Sequence, residues 1–255
     1  MQQDSKANEQ TPRLCLVFAP GSRPDLADID ALAAQSPESG DGVFSISHRG
    51  SDGHWAELLS NGLTFDCTGL KPGAEEAQPP IGQPVGLRSL PAGEVVALTT
   101  GPHLAGSAGV LPVLRALAAL GARMAALPGV MAVVWSPATA WVEPELYRRS
   151  IAEWLGGGAF PGLVLIALER ESNGAMVSRG LSLMTGQELR FEPDKRLPTA
   201  AMARLAVRLI HELVRFGPLR EEKDFTGPEK EHLLAVPVRG GTQVRILVSG
   251  IERTQ

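Results

Sequence analysis

Cysteines, aromatic residues and long apolar runs are scarce in this chain, and each scarcity excludes a class of protein. Only two of its 255 residues are cysteine, Cys15 and Cys67, which is too few for a disulfide scaffold or a four-thiolate zinc site. We expect both to be buried reduced thiols, because each lies in an apolar, strand-like segment. Arg115 and Pro128-Gly129 interrupt the apolar runs before they reach the roughly 20 residues that cross a bilayer.

The chain also lacks a strong charge of either sign. Its formal net charge of −4 provides no general attraction to nucleic acid or to anionic lipid. Residues 1–12 are polar, have no apolar core of the kind that a signal peptide needs, and are predicted to be a disordered tail. These features predict a cytoplasmic protein that binds neither nucleic acid nor membranes.

Alternating strand and helix patterns are present along most of the sequence. Residues 13–70 are predicted to form a β-α-β-β unit, and residues 94–255 a main domain. Between them, residues 71–93 contain too many prolines and glycines for regular structure, so we interpret them as a linker or a long surface loop. The element order predicts an α+β fold with helices on one face of a mixed, largely antiparallel sheet. A further hypothesis is that the two parts are related ferredoxin-like halves.

Four amphipathic helices and a closing hairpin are the clearest individual predictions. Apolar residues at helical spacing predict helices at residues 24–36, about 110–124, 143–156 and about 198–216. The last two strands, "HLLAVPV" and "TQVRILV", should pair across Gly240-Gly241. We expect the second of them to be an edge strand with little charge to protect it, so that a homodimer can form through this edge or through a helix face. The predicted partner is a second copy or another protein.

Residues 178–193, "SRGLSLMTGQELRFEP", contain two glycines within an apolar run. Read with a period of two residues, the segment is predicted to be a strand. Gly186 suits a bulge or a sharp bend between two halves of that strand, and Gly180 would let another backbone approach closely. This stretch is therefore interpreted as architecture and not as a phosphate-binding loop.

The same stretch resembles a known family. "VSRGLSLMTGQELRFEP", together with "MAVVWSP" at residues 131–137, is similar to the signature of the bacterial domain-of-unknown-function family DUF4261. The resemblance covers roughly residues 94–216. Met184-Thr185 stands where the family has an aromatic residue, and Gln187 where it has a small residue or proline. Because the family has no established activity, the resemblance implies a fold but no mechanism.

One motif suggests catalysis. "AGSAG" at residues 105–109 resembles the turn that carries the serine of some lipases, and a hydrolase would use Ser107 with His103 or His211. That turn must directly follow a strand, whereas the preceding strand is predicted to end near Thr100. The alternative interpretation, which we favour, is that Ser107 helps to cap the helix that follows.

The sequence predicts no metal site and no cofactor. "HELVR" begins like a zinc-protease helix, but the position of the second histidine is occupied by Arg215. The other histidines show no ligand spacing. The chain also has no Walker loop, and no Gly-x-Gly-x-x-Gly between a strand and a helix.

Two clusters have both a functional and a structural interpretation. Arg204, Arg208, His211 and Arg215 recur at helical spacing, and such a stripe either binds phosphates or is a solvated helix face, which we favour. The other cluster either lines a ligand pocket or belongs to the core, which we again favour. It consists of Trp135, Trp141, Tyr147 and Trp154.

A ligand site is predicted from three residues. Trp135 ends a predicted central strand, where open sheets leave crevices. Arg179 is a charge within an apolar strand and needs an anionic partner, for which Glu188, Glu143 and Glu145 are the candidates. The hypothesis is that Trp135, Arg179 and Glu188 border one concavity. The alternative is an exposed arginine and a core tryptophan.

Because no set of acid, base and nucleophile emerges, we expect a non-catalytic binding or protein-interaction domain.

Overall fold

The structure is a computed structural model that describes residues 12–35, 42–104, 106–238 and 240–251. Most of the predicted tail therefore lies outside the described residues. The chain divides into two compact units, Met1–Val164 and Leu165–Gln255, which we call the N-terminal unit and the C-terminal unit. Each unit contains a mixed, mostly antiparallel sheet with helices, so the predicted α+β class is confirmed.

One eight-stranded sheet forms the framework of the N-terminal unit. Its strands, in chain order, are β1 (Leu14–Phe18), β2 (Ser45–Arg49), β3 (Trp55–Ser60), β4 (Leu63–Thr68), β5 (Gln83–Val85), β6 (Glu94–Thr100), β7 (Val130–Trp135) and β8 (Ala140–Val142). They lie in the order β2-β3-β4-β6-β1-β7-β8-β5. Every neighbouring pair is antiparallel except β8 and β5, which are parallel.

The longer helices of this unit lie where the apolar periodicity predicts them. They are α1 (Leu26–Ala34), α2 (Leu111–Met124) and α3 (Pro144–Leu155). Asp25 and Asp28 form a capping box at the start of α1. Two arginines of α2 bind carbonyl groups at the ends of the other helices: Arg123 donates to the C-terminal end of α1, and Arg115 to that of α3. Side-chain hydrogen bonds therefore hold all three helices in place.

The helix α2 covers one face of the central strands. Leu14 faces it at Gly121, where a Cβ atom would lie 2.6 Å from the Leu14 Cδ2 atom, so a larger residue at this helix position would displace Leu14. Leu98 and Trp135 are the cross-strand partners of Leu14 and share its face of the sheet. All three side chains are almost completely buried. This face is the main core of the unit.

The opposite face of the central strands is covered by the segment 71–93, which is therefore a long loop of this unit, the second of the two predicted alternatives, and not a linker between domains. Cys15, Val17 and their neighbours on this face are buried, and Leu87 and Leu90 pack against them. The segment is held by β5, which pairs with β8, and by a 3.0 Å hydrogen bond from the Trp141 indole to the Pro80 carbonyl. Strands buried on both faces need such a cover, because apolar surface left in water is costly.

The boundary between compact units also differs from the predicted one. Strands from residues 13–70 pair in the same sheet as strands from residues 94–142, because β4 and β1 both lie beside β6. The units separate instead after Val164. The hypothesised halves, residues 13–70 and 94–255, are therefore not separate units, because strands of both pair in one sheet.

A six-stranded sheet forms the C-terminal unit. Its strands are β9 (Ala167–Arg170), β10 (Met176–Arg179), β11 (Glu188–Phe191), β12 (Lys223–Thr226), β13 (Glu231–Pro237) and β14 (Gln243–Ile251). They lie in the order β12-β13-β14-β11-β10-β9. The short helix α4 (Gly162–Leu165) is at the junction in the chain, and α5 (Ser182–Thr185) and α6 (Thr199–Phe216) follow within the unit.

The last strand is central, which corrects its prediction as an edge. β14 pairs antiparallel with β13, and its residues Gln243–Ile246 pair parallel with β11, so the strand lies inside the sheet. The sequence pattern predicts only the hairpin with β13, because the parallel partner β11 is far away in the chain. The residues Gln243–Ile246 therefore have no free backbone edge, and the predicted homodimer stays a prediction.

Both cysteines are predicted to be unreactive in the native protein. Cys15 is 3% and Cys67 0% exposed, and burial raises the pKa of each thiol to about 12. Because the thiolate is the reactive species, we expect Ellman's reagent at about pH 8 to label neither thiol before unfolding and both afterwards. Labelling of either residue within minutes in native buffer would contradict this placement.

Within the described residues, no helix is both long and apolar enough to cross a membrane.

Candidate functional site

The structure places Arg179 at the surface, not inside an apolar strand. Its side chain is 51% exposed and binds Glu169 on β9 through two hydrogen bonds of 2.7 and 3.1 Å. These bonds raise the pKa of the arginine. The predicted partners Glu188, Glu143 and Glu145 are thus corrected to Glu169, which lies across the β9–β10 pair.

Glu188 accepts hydrogen bonds from the turn that precedes α5. Its carboxylate binds the N–H groups of Gly180 and Ser182 at 2.9 and 3.0 Å, and the hydroxyl of Ser182 at 2.7 Å. The Ser178 hydroxyl donates to its other oxygen. Because the Glu188 carboxylate occupies these donors, they are not available to an external anion.

The same contacts correct the predicted strand at residues 178–193. The N–H groups held by Glu188 start one helical turn, α5, and Gly186 ends it in the left-handed region at φ 74°. The segment is therefore a strand, a helical turn and a strand, and the period of two residues does not apply between them. Gly180 also has a positive φ of 94°, which glycine adopts without strain.

Trp135 is a core residue of the N-terminal unit. It ends β7 as predicted, is 0% exposed, and its indole Nε1 has no hydrogen-bond partner among the described residues. The other members of the aromatic cluster, Trp141, Tyr147 and Trp154, are also buried, which supports the core interpretation. Because Arg179 and Glu188 belong to the C-terminal unit, the hypothesis of a concavity shared with Trp135 stays a prediction.

The geometry around Ser107 does not support a nucleophile elbow. A 3₁₀ turn at Pro102–Leu104 separates β6 from Ser107, so the serine does not follow the strand directly. No hydrogen bond joins Ser107 to a histidine in the described part of the chain. The helix α2 begins at Leu111 with Val110 as its N-cap and no side-chain cap, so the predicted capping role of Ser107 is wrong.

A polar cluster lies where one face of β2, β3 and β4 is open. Glu57 accepts from the Ser47 hydroxyl at 2.6 Å and lies 2.8 Å from His48 Nδ1, and these two contacts lower its pKa. Its cross-strand neighbour Asp66 has a raised pKa, mainly because of desolvation, and accepts from Trp55 at 3.2 Å. Ser47 and His48 bind the same carboxylate oxygen, so the histidine is not placed to take the serine proton.

No three potential metal-ligating side chains in the described ranges lie close enough to hold an ion.

The structure reveals a groove that the sequence analysis did not predict. It lies between α6 and β12 and has a volume of about 170 Å³. Leu205, Leu209 and Leu233 are buried apolar residues in its lining. The complete lining is Leu205, Arg208, Leu209, Glu212, Phe225, Thr226, Gly227 and Leu233. An apolar floor with charged residues beside it is the usual construction of a binding groove.

Exposed aromatic and cationic side chains extend this groove toward the end of α6. Phe216 is 65% exposed, and the Arg215 guanidinium lies 5.1 Å from the centre of its ring. Lys223 Nζ is 5.9 Å from the same ring and 4.9 Å from the ring of Phe225. Such distances are within cation–π range. We call the groove lining together with Arg215, Phe216 and Lys223 the α6–β12 surface.

The basic stripe predicted on the last helix is partly explained by this surface. Arg204, Arg208 and Arg215 are exposed, as a solvated helix face requires. Arg204 lies 3.8 Å from Glu229, whereas Arg208 lines the groove. This surface is not predictable from α6 alone, because it also needs β12, whose charged "KDFT" has a weak strand pattern. The sequence signal for this strand is an alternation with a period of two residues: Lys223 and Phe225 share one face, and Asp224 and Thr226 share the other.

No family model matches the chain, and no curated protein or solved structure matches it either. The resemblance to DUF4261 therefore stays a prediction.

Proposed function

We propose that the chain is a non-catalytic cytoplasmic binding protein whose C-terminal unit binds another protein through the α6–β12 surface. The observation that carries the proposal is an apolar groove next to an exposed phenylalanine that two cations flank. Aromatic and arginine side chains are enriched at the energetic centres of protein interfaces. The two unpaired buried cysteines are compatible with a reducing compartment.

The size of the groove favours a protein partner over a small metabolite. Small-molecule pockets usually enclose about 300–1,000 Å³. The groove measures about 170 Å³, which suits a single anchoring side chain from a partner. All lining residues except Gly227 come from a helix and two strands, which are rigid elements, so we expect the groove to be present before the partner binds.

The charge distribution favours protein over nucleic acid. Residues 165–255 contain 14 lysines and arginines but also 12 aspartates and glutamates. Glu212 lies between Arg208 and Arg215 on the same helix, where it would repel a phosphate backbone. A nucleic-acid site needs a continuous basic face, because phosphate contacts supply most of its affinity.

Selection of peptides on the intact protein tests this proposal. We expect a phage-displayed random library to yield peptides that bind the immobilised chain, and that Phe216→Ser and Lys223→Glu each weaken them about tenfold or more. Both residues are exposed, so the substitutions should leave the fold intact. Matched controls are Ile81→Ser, at an exposed apolar residue, and Arg148→Glu, at an exposed cation, both in the N-terminal unit.

Two results would count against the proposal. Selected peptides that bind both surface variants as tightly as the controls would place the interaction elsewhere. A sedimentation experiment that shows a dimer, dissociated by Phe216→Ser and Lys223→Glu but not by the controls, would make a second copy the occupant of this surface.

A further inference from the structure

We infer that the α6–β12 surface binds an extended acidic segment in which one apolar side chain lies between two carboxylates about three positions apart. This inference rests on the proposed function of the same surface and adds the chemistry of the partner. It follows from the order of charges along α6, the position of Lys223 and the size of the groove.

Arg208 and Glu212 line the apolar groove, and two further cations lie beside its aromatic residues. Arg208, Glu212 and Arg215 follow one another at steps of four and three residues, so they lie on one side of α6. Lys223 is on the β12 side, close to Phe216 and Phe225. Neither Arg208 nor Lys223 forms an ion pair in the described part of the chain. Both charges are therefore available to carboxylates of a partner.

The spacing of the cations sets the spacing of the acidic groups. Arg208 and Arg215 are seven residues apart, which corresponds to about 10 Å along a helix at 1.5 Å per residue. An extended peptide covers about 10 Å in three residues at 3.3 Å each. Two carboxylates at positions one and four of such a peptide can therefore meet Arg208 at one end and Arg215 with Lys223 at the other.

The middle of the segment must be apolar and uncharged. Glu212 lies between the two arginines, so a carboxylate at a central position of the peptide would face another carboxylate. Leu205, Leu209 and Leu233 offer apolar contact there, and a groove of about 170 Å³ accepts one side chain. The occupant is thus an acidic–apolar–acidic sequence with a leucine-sized or phenylalanine-sized anchor.

Three synthetic peptides of equal length test the inference by fluorescence anisotropy with the full chain. The first has glutamates at positions one and four around a leucine, the second has both glutamates moved to the centre, and the third has lysines in place of the flanking glutamates. We expect the first to bind about tenfold tighter than either of the others, and more weakly as salt is raised.

Charge reversal supplies the decisive control. Arg208→Glu should weaken the first peptide about tenfold and strengthen a version with lysine at the position that meets residue 208, whereas Arg148→Glu should change neither. Equal binding of the first and second peptides, or tighter binding of the lysine peptide, would overturn the inference. If library-selected peptides still lose affinity on Phe216→Ser, the proposed function would hold although the inference fails. If no selected peptide depends on Phe216, both the proposed function and the inference would be contradicted.

Discussion

Glu188→Ala should destabilise the C-terminal unit by about 2–4 kcal/mol, because it removes a charged acceptor from several donors at once. The carboxylate binds the N–H groups of Gly180 and Ser182 and the hydroxyls of Ser178 and Ser182. Without it the first turn of α5 loses its acceptor, and the Ser178 hydroxyl loses one of its two partners. Glu188→Gln should cost less, because the amide oxygen keeps some of these bonds.

The measurement must report on the correct unit. All four tryptophans lie before residue 165, so tryptophan fluorescence does not follow the C-terminal unit. We suggest urea unfolding by far-ultraviolet circular dichroism, with hydrogen exchange of residues 176–191. The matched control is Glu169→Ala, which breaks an exposed ion pair with Arg179 and should cost less than about 1 kcal/mol. Equal costs for the two variants would contradict the assigned role of Glu188.

Gly82→Ala should destabilise the N-terminal unit by about 3 kcal/mol, because there is no space for a side chain. A Cβ atom at this position would overlap the carbonyl oxygen of Thr139 and lie 2.7 Å from its carbonyl carbon. Thr139 is itself held in a left-handed conformation at φ 48° in the turn between β7 and β8. The overlap therefore cannot be relieved by a flexible side chain, and β5 should separate from β8.

Urea unfolding followed by tryptophan fluorescence measures this effect, because Trp141 donates to Pro80 within the same segment. Gly156→Ala is the control: its φ is −71° and the nearest atom to a new Cβ would be 3.3 Å away, so we expect a change below about 1 kcal/mol. A linker would tolerate an alanine at position 82. An unchanged unfolding midpoint would therefore restore the linker interpretation of residues 71–93.

The helices of this fold were predictable from sequence, and the neighbours of its strands were not. Each long helix buries a stripe of side chains three or four residues apart, and this pattern predicted α2 and α6 to within about one residue. A strand's alternation indicates which face is buried but not which strand lies beside it. β14 pairs with β11, whose residue Glu188 is opposite Gln243, and no local signal connects two such distant segments.

The difference between local and long-range contacts also explains which parts of the candidate site were predictable from the sequence. The network of Glu188 is local, since its partners lie within ten residues, and the two glycines of the motif indicated an unusual backbone. The partner of Arg179 depends on the register of β9 against β10, which places Glu169 beside it. The α6–β12 surface depends on a strand that was not assigned, so no inspection of α6 alone would have found the groove.

The central position of β14 has a consequence for the order of events during protein synthesis. β14 is the only strand that joins β12-β13 to β11-β10-β9, and it is the last of the described strands to be translated. Until residues 243–251 have left the ribosome, the C-terminal unit consists of two sheet fragments, β12-β13 and β11-β10-β9, each with an unpaired edge. Such edges are prone to aggregation, so this unit should depend on chaperones until translation has passed residue 251, whereas the strands of the N-terminal unit are complete by Val142.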